Sequence, residues 1–228
     1  MKRIYKVLAL LLITNFSYSQ DYQFAIIHDK DGFTNIRHSP DLKAKILGTV
    51  KNNELIFVFD DEDNKDWYDM ASSNLKGFIH KSRVKNLTIF LKIESSNQNE
   101  NNIRFKFNNS EINIISEKFD LKKYSVQRNK QGFVEKLNNK IFYGTDGDLP
   151  KTALKSVTFK INNKAIFINK NQLDDLFEPN FDNTKVFFDV SKQTIYLTMN
   201  NSDGAGAYAV AWSFKPNDTP KRFVLINF

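Results

Sequence analysis

The sequence predicts an all-β protein, and three observations predict it. Short runs that alternate apolar and polar residues recur along the chain, the period-two pattern of half-buried strands. The breaks between them are rich in Asn, Asp and Gly, which tolerate the positive φ of tight turns. Helical spacing shows only from Asn171 to Phe177, where Leu173, Leu176 and Phe177 share a face and Pro179 ends the run. Many short strands with regular turn signals, and one short helix, make a β-sandwich or barrel.

The first strand is Phe24-Ala25-Ile26-Ile27, stopped by the turn Asp29-Lys30-Asp31-Gly32. An Asp31-Gly32-Phe33 opening leads into Asn35-Ile36-Arg37, then a Ser39-Pro40 loop, then Ile46-Leu47-Gly48-Thr49-Val50. Asn52-Asn53 bends the chain into a strand from Leu55 to Phe59. Asp60-Asp61-Glu62-Asp63-Asn64, like-charged and free of apolar residues, is a hairpin tip that stays in solvent. Trp67-Tyr68 opens the next strand, and Asn74 and Gly77 flank the turn before Phe78-Ile79-His80.

This order of motifs resembles the bacterial SH3 (SH3b) family, small β-barrels attached to exported and cell-envelope proteins. The resemblance covers residues about 24–86 and no more. It implies an SH3-like barrel with a shallow groove between the loop after the first strand and the loop before Trp67. Phe33, Trp67, Tyr68 and Phe78 are its aromatic positions. Asn35 and Arg37 match the Asn-x-Arg signature, and His80 matches a polar position after the last glycine. Aromatic rings with polar edges suit peptide or glycan contacts. Filling the barrel is the other use open to Phe33, Tyr68 and Phe78, and a surface pair the other use open to Arg37.

After Val84 the chain runs straight into Leu87–Ile93, an alternating strand, with no Pro/Gly/Ser linker, so the two parts are expected to touch. Residues 95–102 form a polar loop. Ile103–Phe107 and Ile112–Ile115 flank Asn108-Asn109-Ser110 as a hairpin, and Val157–Ile161 and Ala165–Ile168 repeat that pattern around Asn162-Asn163-Lys164. Four strands close the chain: Val186–Val190, Thr194–Met199, Tyr208–Phe214 and Arg222–Phe228. In the third of these, Tyr208, Val210, Trp212 and Phe214 take one face, while Ala209, Ala211 and Ser213 leave the other open to close packing. The division expected is therefore 1–19 signal peptide, 20–87 SH3-like domain and 88–228 a larger all-β domain.

The N-terminus reads as an export signal. Lys2, Arg3 and Lys6 precede an apolar Val7–Ile13, and Ser17-Tyr18-Ser19 places small residues for cleavage before Gln20. That apolar run is far shorter than the ~20 residues a membrane span needs, so the mature form is expected to carry no span. With no cysteine there is neither a lipoprotein anchor nor a disulfide, and burial alone must hold an exported, periplasmic or secreted fold. Net charge is +7, or +4 (7 − 3) once the three signal cations leave. Residues 20–88 hold ten Lys/Arg against eleven Asp/Glu, and residues 89–228 twenty against fifteen. A mild basic excess in an exported chain points to anionic envelope polymers or an acidic protein, not to nucleic acid; an ordinary Lys-rich surface gives the same balance.

All three histidines, His28, His38 and His80, lie in the SH3-like part. Residues 89–228 have no His and no Cys, which excludes a Ser-His-Asp triad, a Cys-His pair or a His-ligated zinc within them. No nucleotide-binding glycine motif stands in a strand-to-helix context, and no cofactor or metal is expected. Carboxylates remain. Residues 143–150 and 200–206 are dense in Asp, Asn and Gly, so Asp146, Asp148 and Asp203 meet if both loops sit at one sandwich end. Tyr143, Asp146, Asp148, Glu178, Asp203 and Tyr208 are the candidate contact residues of the second part. Hairpin turns use the same residues, and neither loop has the calcium-loop pattern.

The expected function is a non-enzymatic exported protein whose two parts bind a cell-wall peptide or glycan or an envelope protein. The alternatives are a periplasmic immunity or inhibitor protein against a toxin, and a carboxylate-dependent glycan hydrolase.

Overall fold

The computed structural model describes residues 22–61, 63–161 and 164–226. The expected signal peptide and its cleavage site, and the turn residues Glu62, Asn162 and Asn163, lie outside the described residues. Nineteen strands and a few single 3-10 turns make up the described chain.

The first seven strands form one sheet: β1 (Tyr22–Ile27), β2 (Phe33–Arg37), β3 (Ile46–Lys51), β4 (Leu55–Asp60), β5 (Trp67–Ala71), β6 (Lys76–His80) and β7 (Val84–Asn86). Their order is β3-β2-β6-β5-β4-β1-β7. Ala25, Ile27, Ile36, Val50, Ile56, Met70 and Ile79, drawn from six of these strands, share one core. A single sheet can bring that many of its own strands around one cluster only by curling into a barrel.

The other strands are β8 (Leu91–Ile93), β9 (Ser95–Asn99), β10 (Asn102–Phe107), β11 (Ser110–Lys118), β12 (Val126–Arg128), β13 (Val134–Leu137), β14 (Thr152–Ile161), β15 (Lys164–Phe167), β16 (Thr184–Asp189), β17 (Thr194–Asn201), β18 (Tyr208–Phe214) and β19 (Lys221–Ile226). One sheet has the order β15-β14-β11-β10-β9, another β19-β18-β17-β16-β8, and β12-β13 is a separate hairpin. Ile103, Phe105, Ile112, Ile114, Val157 and Phe159 of the first meet Val186, Leu197, Met199, Val210, Trp212 and Phe214 of the second in one sandwich core. Every neighbouring pair in both sheets is antiparallel.

The sheet β19-β18-β17-β16-β8 is buried on both sides, which explains the near-continuous burial of β17 and β18. Its second face, Phe187, Tyr196, Ala209, Ala211, Phe223 and Leu225, packs on Phe24, Ile26, Leu55, Phe57 and Ala71 of the barrel. The small-residue face of β18 is therefore the surface on which the barrel sits. Leu55 to Val58, buried on both faces of β4, is its counterpart.

Three sequence expectations need correction. The helix over Asn171–Phe177 is a single 3-10 turn, Lys170–Gln172, after which Leu176 and Phe177 make strand-like bridges to Tyr143 and Ala153. The buried apolar positions were read correctly, but tertiary pairing outcompetes a run too short to hold a helix by itself. Leu87–Ile93 is not one strand: Leu87–Ile89 form a 3-10 turn and only Leu91–Ile93 pair with β16. The polar residues 95–99 are not loop but the exposed edge strand β9, where solvated side chains blunt a free edge.

Candidate functional site

Two concave surfaces collect most of the singled-out residues. The first is a groove of about 180 Å³ on the barrel, lined by Asp29, Asp31, Phe33, Thr34, Asn35, Arg37, Leu42, Trp67, His80 and Arg83. Alternation along β2 builds one wall: Phe33, Asn35 and Arg37 are its less buried positions and face the groove, while Thr34 and Ile36 are buried, Thr34 still lining the groove. Trp67 and His80 are cross-strand partners on β5 and β6, with rings edge to face at 5.3 Å. Trp67 is mostly covered by that packing, at 8% exposed, whereas Phe33 is 45% and Leu42 69% exposed.

The polar side chains here are already oriented. Arg37 donates from one guanidinium nitrogen to the Ala44 carbonyl at 2.8 Å, tying down the loop that carries Leu42. His80 Nδ1 accepts from the Ser82 backbone N–H at 3.2 Å and lies 2.8 Å from Ser82 Oγ, so Nε2 is the ring nitrogen left for a ligand. Asp29, nearly buried, accepts from Arg83 at 2.9 Å and from the Asp31 N–H at 3.0 Å, and its backbone exchanges two bonds with the Asn52 side-chain amide. The arrangement is an apolar shelf flanked by fixed donors and the exposed Asp31.

Tyr68 and Phe78 do not line this groove. Tyr68 points the other way from Trp67, into the barrel core, where its hydroxyl accepts from Asn86 at 3.2 Å and Lys81 lies 4.8 Å from its ring. Phe78 is half-buried on the outer side of β6 beside Asp69. Adjacent residues of a strand face opposite ways, so Trp67 and Tyr68 cannot share a surface.

The second surface is an open groove of about 1030 Å³ at one end of the sandwich. Four segments wall it: residues 98–100, 144–151, 178–182 and 202–206. It brings together Asp146, Asp148, Glu178 and Asp203, and adds Glu100 and Asp182. Among the described residues lining it, Lys151 is the one base against those six acids. Such a surplus draws cations.

The glycines of these loops are explained by close backbone approach. A Cβ on Gly206 would lie 2.9 Å from Thr145 Cα, and one on Gly144, whose φ is +119°, would lie 2.6 Å from the Phe177 carbonyl. Ser202 Oγ donates to the Gly144 carbonyl at 2.7 Å, and Thr145 Oγ1 donates to the Asp148 carbonyl at 2.7 Å. Glu178, at φ +49°, accepts from the backbone N–H groups of Lys151 and Thr152 and from the Thr152 hydroxyl. Its carboxylate joins two walls, while Asp146, Asp148 and Asp203 are exposed.

Tyr208 is not a surface residue: it is fully buried beneath these loops, and its hydroxyl donates to the Phe177 carbonyl at 2.8 Å. Burial pushes its phenol well above the ordinary range. Tyr143 is half-buried, its ring tilted 5.9 Å from that of Tyr208. Both tyrosines support the groove from below. Among the described residues, no three His, Cys, Asp or Glu side chains are grouped so as to hold a metal ion, and no helix is long and apolar enough to cross a membrane.

Sequence reasoning missed Leu42, Asp29 and Arg83 in the first groove and Glu100, Lys151 and Asp182 in the second. The Asp29 turn was visible as a turn. Nothing in the chain foretells that residues 100 and 182 line one groove, where Gln98 of β9 donates to the Asp182 carboxylate at 2.7 Å.

Residues 32–85 match the bacterial SH3 domain family. The match spans β2 to β7, and the SH3 segment so defined carries every residue of the first groove except Asp29 and Asp31. No curated protein and no solved structure matches the chain.

Proposed function

We propose that this is an exported, non-enzymatic binding protein that attaches to a cell-wall peptide or glycan, or to an envelope protein, through the groove of its SH3 segment. One observation carries the reading: Phe33, Asn35, Arg37, Trp67 and His80 converge on one groove inside a segment that matches a bacterial SH3 domain. An exposed aromatic beside fixed donors suits a peptide or sugar, which offers an apolar face edged by amide and hydroxyl groups. The test is co-sedimentation of the mature chain with purified cell-wall sacculi, with envelope protein extract as the second bait. Phe33→Ala is expected to weaken binding by roughly 10- to 30-fold, the cost of losing one aromatic anchor, with the thermal midpoint unchanged. Equal retention of wild type and variant would overturn the assignment of the groove.

A second reading is favoured by the convergence of carboxylates in the sandwich-end groove: hydrolysis of a glycan by an Asp pair. Glu178 suits that chemistry poorly, because three donors already occupy its oxygens. The reading predicts release of reducing ends from cell-wall glycan, abolished in Asp146→Asn, Asp148→Asn or Asp203→Asn. No release by the wild type would rule it out.

A further inference from the structure

The barrel and the sandwich are joined through a core that neither part keeps without the other. Phe24, Ile26 and Phe57 lie on the outer side of the barrel sheet, yet each is at most 6% exposed, because Ala209, Ala211 and Phe223 close over them. Phe24 meets Phe57 edge to face at 4.9 Å, and Phe223 across the junction at 6.1 Å. The covalent connection is equally tight: β7 passes to β8 through one 3-10 turn, whose Leu87 is buried in the same cluster and whose neighbour Phe90 stacks on Tyr196 at 5.5 Å. Separated, the barrel would present a continuous apolar face to water, and the central sheet of the sandwich would lose the cover on one whole side.

From this junction we propose that barrel and sandwich fold and unfold as one cooperative unit, so the SH3 segment of this chain is not a detachable module. Whatever binds the folded barrel then stabilises the sandwich to the same extent, because neither has a separate unfolding equilibrium. This follows from the junction alone and does not depend on which ligand the groove takes.

The chain carries two tryptophans, and each reports on one half: Trp67 in the barrel and Trp212 in the sandwich core. Urea unfolding of Trp212→Phe is followed by Trp67 fluorescence, and that of Trp67→Phe by Trp212 fluorescence, each alongside far-ultraviolet circular dichroism. Cooperation predicts one coincident transition by both signals in each variant. Adding Ile56→Ala, a change in the barrel's own core away from the junction, should then lower the midpoint reported by Trp212 as much as that reported by Trp67. Ile56→Val gives the same comparison if the alanine variant does not fold. Two resolved transitions, or a shift confined to Trp67, would overturn the proposal.

Discussion

At the scale of single residues, two glycines of the sandwich-end groove, Gly144 and Gly206, sit where an added Cβ would meet backbone. Gly144 combines a left-handed φ with a carbonyl 2.6 Å from where a side chain would begin, so Gly144→Ala faces both backbone strain and a clash with Phe177. Strain of that kind alone costs about 1–3 kcal/mol. A drop in urea midpoint of that order is expected; no change would mean that the loop is free to move away. Tyr208 is the milder case. Tyr208→Phe keeps the packing and removes one buried hydroxyl donor to the Phe177 carbonyl, a loss of about 0.5–1.5 kcal/mol. Its phenol is raised by burial first of all, so it should stay protonated in an alkaline ultraviolet titration until the protein unfolds. Tyr208 was legible as important in the sequence, but as a surface contact. One-dimensional alternation identifies the two faces of β18 correctly; it does not say which face meets a core and which a ligand.

At the scale of elements, the strands were far more legible than the connections. β18 begins and ends where the alternation of Tyr208–Phe214 says it should, and the Asn108-Asn109 hairpin forms with Asn108 at φ +49°. Period-two patterning and turn chemistry are local, and local signals survive in the folded chain. The hairpin β12–β13 left no such mark, because its short strands rest on Phe177, Phe119 and Tyr124, partners fixed only by the fold. The groove of the SH3 segment was legible through its motif, and the other through loop composition. Its clasp was not. Glu178 holds the segment before β14 to the segment before β16 through three hydrogen bonds, from a backbone position that few residues adopt. Glu178→Ala should therefore destabilise the chain by about 1–3 kcal/mol, since it leaves backbone donors without their acceptor. Glu178→Gln, which keeps one carbonyl oxygen, should recover part of that. Full stability in the alanine variant would show that the two segments are held elsewhere.

At the scale of the molecule, three sheets are stacked with the central one covered on both sides, and the junction also has a polar edge. Lys192, in the turn between β16 and β17, reaches the barrel and donates to the Asn53 side chain at 2.5 Å. His28, at the end of β1, feels that contact. Its imidazole is held below its ordinary value by desolvation first, and then by the positive charges of Lys85 and Lys192, with Asp29 opposing. A histidine lowered in this way binds fewer protons folded than unfolded, so its contribution to stability is lost as pH falls through the ordinary imidazole range. Lys192→Gln removes one of the charges, and the titration of His28, followed by its ring-proton resonance, should move up towards the ordinary value. His38 and His80 are the other two imidazoles to be assigned. The same variant should flatten the fall in stability on the acid side, because less separates the folded from the unfolded proton affinity. An unmoved His28 titration would mean that Lys192 contributes nothing to the lowering, which desolvation and Lys85 would then carry between them.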